Sequence, residues 1–589
     1  MLPQSLLCGV SDVFTMVGLQ ELFYDQMPDE LRSIGAEAYL STFGIGSFLS
    51  KDISMSQTSP LLGDIGGGGG AAPAPTGWRS SIYIIGAEVT ERCTYVGIVG
   101  NLVTYLTTVL HESTATAVKN VNIFTGTSTM VPLFGAFIAD SYLGRYHTIL
   151  FASLIYILGL AAMTLTTAMV KSQLQESLFF ISLYIVVIGQ GGYKPCVQVF
   201  GADQFDESSE EERRTKNSFF NWWYFGQCSG AIAAMLIVYY LQDNMGWTIG
   251  FGILAIVMSL GLLLFLLGQR LYRRQAPSGS PLTNVAQALV AVARKLQLPS
   301  TIDDSGQTLE NGWFHTRMDP RRLLPLSNYF RFLDKASTTD EIEWRLRSET
   351  QVEEVKLVLR LVPIWFSCLM YAVVIAQAST YFTKQSSTMD RKILSSFIVP
   401  SASLQLAISV SSIVTLPIYD RVIVPITRRI TGTPSGLRML QRTGVGMFLS
   451  IFMMVVAALV ERRRLQVARE LELVDLPDEI IPLSVLWMLP QYIIYGVSDV
   501  FISVGLQEFF YDQMPVEKRS IGAAAYQSIF GIGSFLSSGI ISIVERINPG
   551  WLVDNLNQAH LDYYYWLLAG LSTLWFGLFL YLAKLYRYK

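Results

Sequence analysis

Long apolar runs dominate this chain and limit what it can fold into. A run of about 18 or more apolar residues predicts a helix that crosses a bilayer, because a helix satisfies its own backbone hydrogen bonds inside lipid. About twelve such runs follow residue 77. The first six are centred on residues 83–106, 124–139, 148–169, 178–200, 219–241 and 250–267. The second six are centred on residues 358–382, 397–418, 444–459, 485–510, 521–543 and 564–582. The sequence therefore predicts an all-α membrane protein made of two six-helix halves.

The composition agrees with this class of protein. Of the 589 residues, 51% are hydrophobic and 15% are charged, whereas soluble domains carry about a quarter charged residues. The formal net charge is only -3, so the charge balance gives no indication of a nucleic-acid partner. The five cysteines lie scattered in apolar segments without metal or disulfide spacing, and we expect them to be reduced.

A polar stretch at residues 269–354 separates the two halves, which span residues 78–268 and 355–589. It holds the densest charge of the chain and is predicted to be a long central cytoplasmic loop. Near residues 282–296, leucines and valines recur at helical spacing beside basic residues. This pattern predicts an amphipathic helix that lies on the inner membrane surface or links the halves, although a helix solvated within the loop fits it equally well.

Basic residues between the runs set the orientation, because they prefer the cytoplasmic side. They fall on one side of the membrane at residues 145, 213–216, 270–274, 421–429 and 518–519. Both ends of the twelve-helix core are therefore expected in the cytoplasm. One run, Glu-Arg-Arg-Arg at residues 461–464, falls on the outer side and departs from the rule.

The first residues of the chain are a copy of a later segment. Residues 3–51 match residues 490–538 without a gap at about three positions in four, which is too close for an ancient fold-building repeat. We expect residues 1–51 to be a partial duplicate that arose by fusion or from a gene-model error. Residues 52–77 are rich in glycine and proline and are predicted to be a disordered linker.

Three charged residues lie inside the first run of the core. Glu88, Glu91 and Arg92 are spaced i, i+3 and i+4, so all three are expected to face into the bundle. Charges inside spanning helices are costly and are functional by default. Two carboxylates beside one guanidinium can hold and release a proton, which is the requirement for proton coupling. The alternative is a permanent ion network that ties the helices together.

A cation and an acid occur in corresponding inner regions of the two halves. Lys194 lies in the fourth run, after Gly191 and Gly192, and Glu508 lies in the tenth. We expect the two glycines, with Pro195 directly after Lys194, to allow close helix packing and a locally distorted backbone around Lys194. A bridge between Lys194 and Glu508 would join the halves as a gate that substrate or proton breaks.

Four strings occur in order at the expected helices: Glu88-x-x-Glu91-Arg92, GGYKPCVQVFGADQFD around Lys194, FFNWWYFG from Phe219, and QEFFYDQMP around Glu508. Together they resemble the proton-dependent oligopeptide transporter family of the major facilitator superfamily, in its plant nitrate/peptide branch. The resemblance covers residues 78–589. It implies a major facilitator fold with 6+6 transmembrane helices, and proton-driven symport by alternating access, with the proton as coupling ion and no other cofactor.

The resemblance also implies roles for individual residues. Glu88, Glu91 and Arg92 are expected to couple protons, and Tyr95, Lys194, Gln377 and Glu508 are expected to bind substrate. The string GAFIADSYLGR at residues 135–145 resembles the superfamily's cytoplasmic loop between the second and third helices. Its gating residues would be Asp140, Gly144 and Arg145, with Asp420 and Arg421 at the equivalent place in the second half. A plain helix-capping role for either aspartate is the alternative.

Two departures from the family pattern concern the substrate. Nitrate-transporting relatives carry a histidine just before an Ala-Gln pair in the seventh helix, and anchoring on Ala376 and Gln377 puts Ile375 at that position. Nitrate recognition by the same imidazole is therefore disfavoured. Ala376 stands where peptide-transporting relatives tend to have an acid, and Val96 replaces the second aromatic of a Tyr-Tyr-Gly string after Tyr95.

We therefore expect a monomeric symporter of di- or tripeptides or related organic anions, in the plasma or vacuolar membrane. A nitrate or plant-hormone transporter of the same fold is the first alternative, and a non-transporting membrane receptor is the second. A membrane enzyme is disfavoured because the chain has no GxSxG, HExxH or Walker sequence and its four histidines lack metal-ligand spacing.

Overall fold

The computed structural model describes residues 77–168, 173–205, 210–274, 349–394, 397–431, 437–477, 479–514 and 519–586. The duplicated segment at residues 1–51, nearly all of the linker, and the expected amphipathic helix near residues 282–296 lie outside the described residues.

The described chain is almost entirely helical. The first half contains α1 (Gly77–Val99), α2 (Leu102–Thr108), α3 (Thr114–Ile138), α4 (Arg145–Ala168), α5 (Gln173–Ala202), α6 (Glu210–Ala233), α7 (Tyr239–Asn244) and α8 (Trp247–Leu267). The second half contains α9 (Glu349–Ile375), α10 (Tyr381–Ser387), α11 (Leu406–Ile418), α12 (Val424–Thr431), α13 (Met439–Glu470), α14 (Leu489–Asp512), α15 (Arg519–Ile547) and α16 (Leu561–Leu585). Four short strands lie in the second half: β1 (Met389–Asp390), β2 (Lys392–Leu394), β3 (Phe397–Ile398) and β4 (Ile481–Ser484). β1 pairs in parallel with β4, and β2 pairs antiparallel with β3.

Ten helical stretches among the described residues are long and apolar enough to cross a membrane: Thr114–Leu143, Arg145–Ala168, Leu174–Ala202, Phe225–Asn244, Trp247–Arg270, Ser401–Arg429, Met439–Glu470, Val485–Phe510, Ala524–Ile547 and Leu561–Leu585. The remaining two predicted spans are α1 and α9. The apolar part of α9 is Leu359–Ile375, and α1 is less apolar because it carries Glu88, Glu91 and Arg92. The predicted all-α architecture of two six-helix halves is confirmed.

Small residues allow the helices of the first half to approach closely. A Cβ placed on Gly135 of α3 would collide with the backbone of Gly191 on α5, and one on Gly192 would press on Ala152 of α4. The expected close packing just before Lys194 is therefore confirmed. α5 is helical throughout, including at Pro195.

Hydrogen bonds and an ion pair join the two halves along the outer ends of α3 and α15. Lys119 Nζ lies 2.7 Å from Glu545 Oε2, and the Lys119 carbonyl accepts a hydrogen bond from Ser538 Oγ at 3.0 Å. At the start of α3, the Thr114 N–H donates to Asp554 at 2.7 Å. We call this set of contacts the outer seam. It holds the halves together on the outer side of the membrane.

Two of the spans are broken at equivalent positions. Gly100 and Asn101 separate α1 from α2 in the first span, and residues 376–380 separate α9 from α10 in the seventh. π-helical turns also recur at equivalent places, at Ala139–Leu143 after the second span and Tyr419–Ile423 after the eighth. Breaks and π-helical turns at matching places indicate that the two halves share one structural plan.

The outer basic run at residues 461–464 belongs to an extension of α13. Arg464 and Glu461 are completely buried, and the guanidinium donates to both Glu461 oxygens at 2.6 and 2.8 Å. Its remaining donors reach Asn557 Oδ1 at 2.8 Å, Thr388 Oγ1 at 3.1 Å and the Leu556 carbonyl at 2.6 Å. All five N–H groups of an arginine are thereby used. Arg464 is a structural residue whose charge is neutralised by Glu461. This pairing explains why an arginine occurs on the outer side, against the preference of basic residues for the cytoplasm.

We expect Arg464→Leu to lower the free energy of unfolding by about 3–5 kcal/mol, because it leaves the Glu461 carboxylate buried without a cation. Arg463→Leu, one residue earlier, removes a half-exposed side chain whose partner Glu470 lies 3.8 Å away, and should change stability little. Thermal unfolding of the two purified variants in detergent measures the difference. Equal losses would show that the buried network does not stabilise the fold.

Candidate functional site

Charged side chains of α1 face the interior of the first half. Glu88 and Glu91 are each only 3% exposed, and Arg92 is half-buried. Their spacing puts all three on one side of the helix, where Gln227 of α6 and Lys194 of α5 interact with them. The first span thus carries its charges into the bundle and away from lipid, as the spacing predicts.

The two carboxylates are only partly satisfied by hydrogen bonds. Gln227 Nε2 of α6 donates to Glu88 Oε1 at 2.7 Å. Glu88 Oε2 and Glu91 Oε1 are buried and have no hydrogen-bond partner among the described residues. Gln190 of α5 lies beside Glu91, but its amide makes no hydrogen bond of normal geometry. Each glutamate therefore presents an oxygen that is available to a proton or a water molecule.

Lys194 of α5 completes this cluster. Its Nζ lies 5.2 Å from the centre of the Tyr95 ring, and Arg92 Cζ lies 5.9 Å from the same ring. Lys194 interacts electrostatically with Arg92, Glu91 and Glu88. The four charged groups sum to zero when all are ionised, and one added proton makes the cluster positive by one unit. We call Glu88, Glu91, Arg92 and Lys194 the charge cluster.

The second half contributes a buried acid that the motifs do not include. Asp499 of α14 is half-buried and accepts hydrogen bonds from Ser503 Oγ at 2.7 Å and the Tyr371 hydroxyl at 3.1 Å. Tyr495 and Tyr526 surround it. The carboxylate is therefore fixed in an aromatic pocket between α9, α14 and α15.

Glu508 lies further along the same helix. It is half-buried and follows Asp499 by nine residues, which is about 13 Å along a helix. α14 runs toward the cytoplasm, so Glu508 lies on the inner side of Asp499. The bridge between Lys194 and Glu508 stays a prediction, because the contacts described for Lys194 are with α1.

Gln377, expected as a substrate ligand, is completely buried at the break between α9 and α10. Its Nε2 donates to the Val373 carbonyl at 3.0 Å and to Ser537 Oγ of α15 at 3.3 Å. Asn122 of the first half donates to the same Ser537 Oγ at 3.1 Å, so the Gln377 side chain belongs to the contact region of the two halves.

The expected gating residues lie in and after the two π-helical turns. Asp140 and Asp420 are each the second residue of a turn, and their side chains lie outside what the structure describes. Gly144 ends the first turn with φ of 74°, a conformation that favours glycine. Arg421 is exposed at the cytoplasmic end.

Arg145 pairs with a residue that the motif comparison did not single out. Its Nη1 forms a short ion pair with Asp203 Oδ2 at the end of α5, and both side chains are less than one-third exposed. Asp203 lies in the GADQFD string beside Lys194. The salt bridge links the first residue of α4 to the end of the helix that carries Lys194.

Gln227, Asp499 and Asp203 are the site residues that sequence reasoning missed. An acid within an apolar run is the same signal that identified Glu88 and Glu91, and it could have found Asp499. Gln227 immediately follows the FFNWWYFG string, but an uncharged amide gives no comparable signal. Asp203 needs the three-dimensional contact with Arg145 to be recognised.

Two helical halves with matched breaks and a balanced cluster of buried charges define a multi-pass membrane transporter. Residues 146–552 match the model of the POT family. The chain belongs to this family, whose members are transporters and not enzymes.

Two relatives from Arabidopsis thaliana cover most of the chain. Protein NRT1/PTR FAMILY 5.4 is 46% identical over 528 residues, covering 87% of this chain and 95% of that protein. Protein NRT1/PTR FAMILY 5.10 is 48% identical over 533 residues, covering 87% of this chain and 93% of that protein. The predicted resemblance to the plant branch is confirmed.

Solved structures confirm the fold. The crystal structure of an auto inhibited POT family peptide transporter matches with a TM-score of 0.66 and 21% identity, covering 87% of this chain and 98% of that one. The POT family transporter PepTSo matches with a TM-score of 0.66 and 21% identity, covering 86% and 98%.

We expect Arg145→Gln and Asp203→Asn each to reduce the transport rate severalfold, because each breaks the same partly buried ion pair that ties two cytoplasmic ends together. The double variant should transport no worse than the more impaired single variant. Initial uptake rates of all four proteins in proteoliposomes form the double-mutant cycle. Additive losses would show that the two side chains act independently.

Proposed function

We propose that this chain is a proton-coupled symporter of di- or tripeptides or related small organic anions, working by alternating access as a single chain. The observation that carries the proposal is the charge cluster: two buried carboxylates and two cations between α1 and α5, with one carboxylate oxygen of each glutamate lacking a hydrogen-bond partner in the described part of the chain. Such a site can take up a proton without any change in its hydrogen-bonded framework.

The charge balance gives a mechanism for coupling. With both glutamates ionised, Arg92 and Lys194 are neutralised and attract an anion weakly. A proton on Glu88 or Glu91 leaves one positive charge uncompensated, which favours binding of a carboxylate group from the solute. Loss of the proton to the cytoplasm restores neutrality and weakens the hold on the solute. Proton and solute therefore bind together and leave together.

The second half would recognise the other end of a peptide. Asp499 is held by Tyr371 and Ser503 and has capacity to accept further hydrogen bonds, so it can pair with an ammonium group. A zwitterionic peptide would then span from Lys194 to Asp499, across the two halves. Glu508, on the inner side, would pair with Lys194 when the site is empty of solute. A solute with both charges would therefore favour closure more strongly than a solute with a carboxylate alone.

We expect Glu88→Gln and Glu91→Gln each to abolish accumulation of labelled dialanine driven by a pH gradient in proteoliposomes, while exchange of dialanine across the membrane persists. The amide cannot give up a proton, so coupling is lost and binding remains. Glu112→Gln is the control, since Glu112 lies in an outer loop. Both of its carboxylate oxygens accept hydrogen bonds from Asn120 Nδ2, at 3.0 and 3.1 Å. Normal accumulation by either core variant would refute the assigned role.

Asp499→Asn should lower the kcat/KM for dialanine by about 10- to 100-fold, the ratio expected for losing a charged hydrogen bond. Uptake of N-acetyl-dialanine, which has no ammonium group, should be little changed. Glu508→Gln provides the comparison on the same helix. If Asp499→Asn lowers the uptake of dialanine and of N-acetyl-dialanine equally, the aspartate does not bind the ammonium group.

A solute screen tests the substrate class. Dialanine, nitrate and small carboxylates are supplied to proteoliposomes containing the chain from residue 54 onward and, separately, the full chain. Dialanine uptake that rises with the inward proton gradient supports the proposal. Uptake of nitrate alone would contradict the peptide assignment, and binding without flux of any solute would favour a receptor.

A further inference from the structure

The breaks in the first and seventh spans each carry a buried side-chain amide. Asn101 follows Gly100 between α1 and α2, and Gln377 lies in the break between α9 and α10; they are 1% and 0% exposed. The Gln377 carbonyl accepts backbone hydrogen bonds from both Thr380 and Phe382, which fixes the shape of the second break. The two amides thus occupy matching places in the two halves.

Gln377 positions a hydroxyl that bonds to the opposite half. The Val373 carbonyl can only accept a hydrogen bond, so the amide group that faces it must be the donor, Gln377 Nε2. The same nitrogen donates to Ser537 Oγ at 3.3 Å. Ser537 is fully buried on α15, the eleventh span. Asn122 Nδ2 of α3, in the first half, donates to the same Oγ at 3.1 Å. Gln377 therefore holds the acceptor of a hydrogen bond between the halves.

Asn101 makes the corresponding arrangement in the first half. Its Nδ2 donates to Asp243 Oδ1 at 2.9 Å and to Gln242 Oε1 at 3.2 Å, both on α7 at the outer end of the fifth span. The second oxygen of Asp243 lies 3.6 Å from Arg391 Nη1, in the second half. Asn101 therefore holds the acceptor of an ion pair between the halves.

The two arrangements share one plan. In each half an amide at the break of the first span contacts the fifth span, and the contacted residue bonds across to the other half. In each case the amide nitrogen donates while the amide oxygen, Asn101 Oδ1 or Gln377 Oε1, is buried without a hydrogen-bond partner of normal geometry among the described residues. The Tyr564 hydroxyl lies beside Gln377 and Ser537 but also makes no such hydrogen bond. An unpartnered buried acceptor destabilises the closed arrangement, and water reaching it on opening would offset the lost contacts.

We propose that Asn101 and Gln377 are positioning residues of two equivalent latches that act together with the outer seam to hold the outer side of the transporter closed, and that they contribute to how readily it opens outward. The inference rests on the transporter function of the family and goes beyond the substrate proposal. Gln377 in particular acts through Ser537 and Asn122. Both latches are weak. One is a neutral hydrogen bond between Asn122 and Ser537, and the other is an ion pair between Asp243 and Arg391 at 3.6 Å.

The test measures outward opening directly and needs no solute. A single cysteine is introduced at Thr125, whose hydroxyl is buried about one turn further into the membrane than Asn122 on α3. The five native cysteines are replaced by alanine. In right-side-out vesicles, a membrane-impermeant maleimide labels Thr125→Cys only when the outer side opens. We expect Gln377→Leu, Ser537→Ala and Asn101→Leu each to speed labelling about five-fold, the ratio for one lost hydrogen bond.

Matched controls separate a latch from general loosening. Ser534→Ala lies one turn earlier on α15 and removes a buried hydroxyl that donates only within its own helix, to the Phe530 carbonyl at 2.9 Å. It should label at the parent rate. Asn122→Ala combined with Ser537→Ala should label no faster than either single variant. Parent-rate labelling of Gln377→Leu and Ser537→Ala, or equal acceleration by Ser534→Ala, would overturn the proposal.

A variant of the other latch gives an independent reading if Ser537→Ala does not fold. Asp243→Asn keeps the oxygen that accepts from Asn101 and removes the charge that faces Arg391. We expect it to speed labelling of Thr125→Cys as well, because both latches must part for the outer side to open. No acceleration in Asp243→Asn would overturn the two-latch proposal.

Discussion

An ionised side chain in the hydrocarbon of a bilayer costs several kcal/mol unless it is paired or hydrated. This chain places four such groups between α1 and α5 and lets their charges cancel. That constraint explains why α1, with its three charged residues, is not among the ten stretches that are long and apolar enough to cross a membrane. Glycines at 135, 191 and 192 bring α3, α4 and α5 close together beside Lys194. Because the cancellation is complete with all groups ionised, a single proton changes the net charge of the site.

The same principle operates differently on the outer side. Arg464 and Glu461 are also buried and paired, but every donor of the guanidinium is used, so this network is fixed. Within the residues that the structure describes, the charge cluster and the two latches leave buried oxygens without a hydrogen-bond partner. The Arg464 network is completely hydrogen-bonded and is not proposed to change state, whereas the charge cluster and the latches keep oxygens that a proton or a water molecule can reach.

Much of the fold could be predicted from the sequence because apolar length and charge position follow directly from the lipid environment. The spans, the inward-facing Glu88, Glu91 and Arg92, and the family were predicted correctly. Contacts between distant segments could not be read in this way. The partner of Arg145 is Asp203, and Gln377 lies in the contact region of the halves; both facts depend on how helices cross. Asp499 was within reach of the rule that identified the other acids.

The central claim is that the charge cluster moves protons together with solute, and the flux of protons tests it most directly. Dialanine is added outside weakly buffered proteoliposomes at equal internal and external pH, without an imposed gradient. The account predicts that the external medium becomes more alkaline as dialanine enters, in proportion to the amount taken up. Dialanine entry with no change in external pH would contradict it.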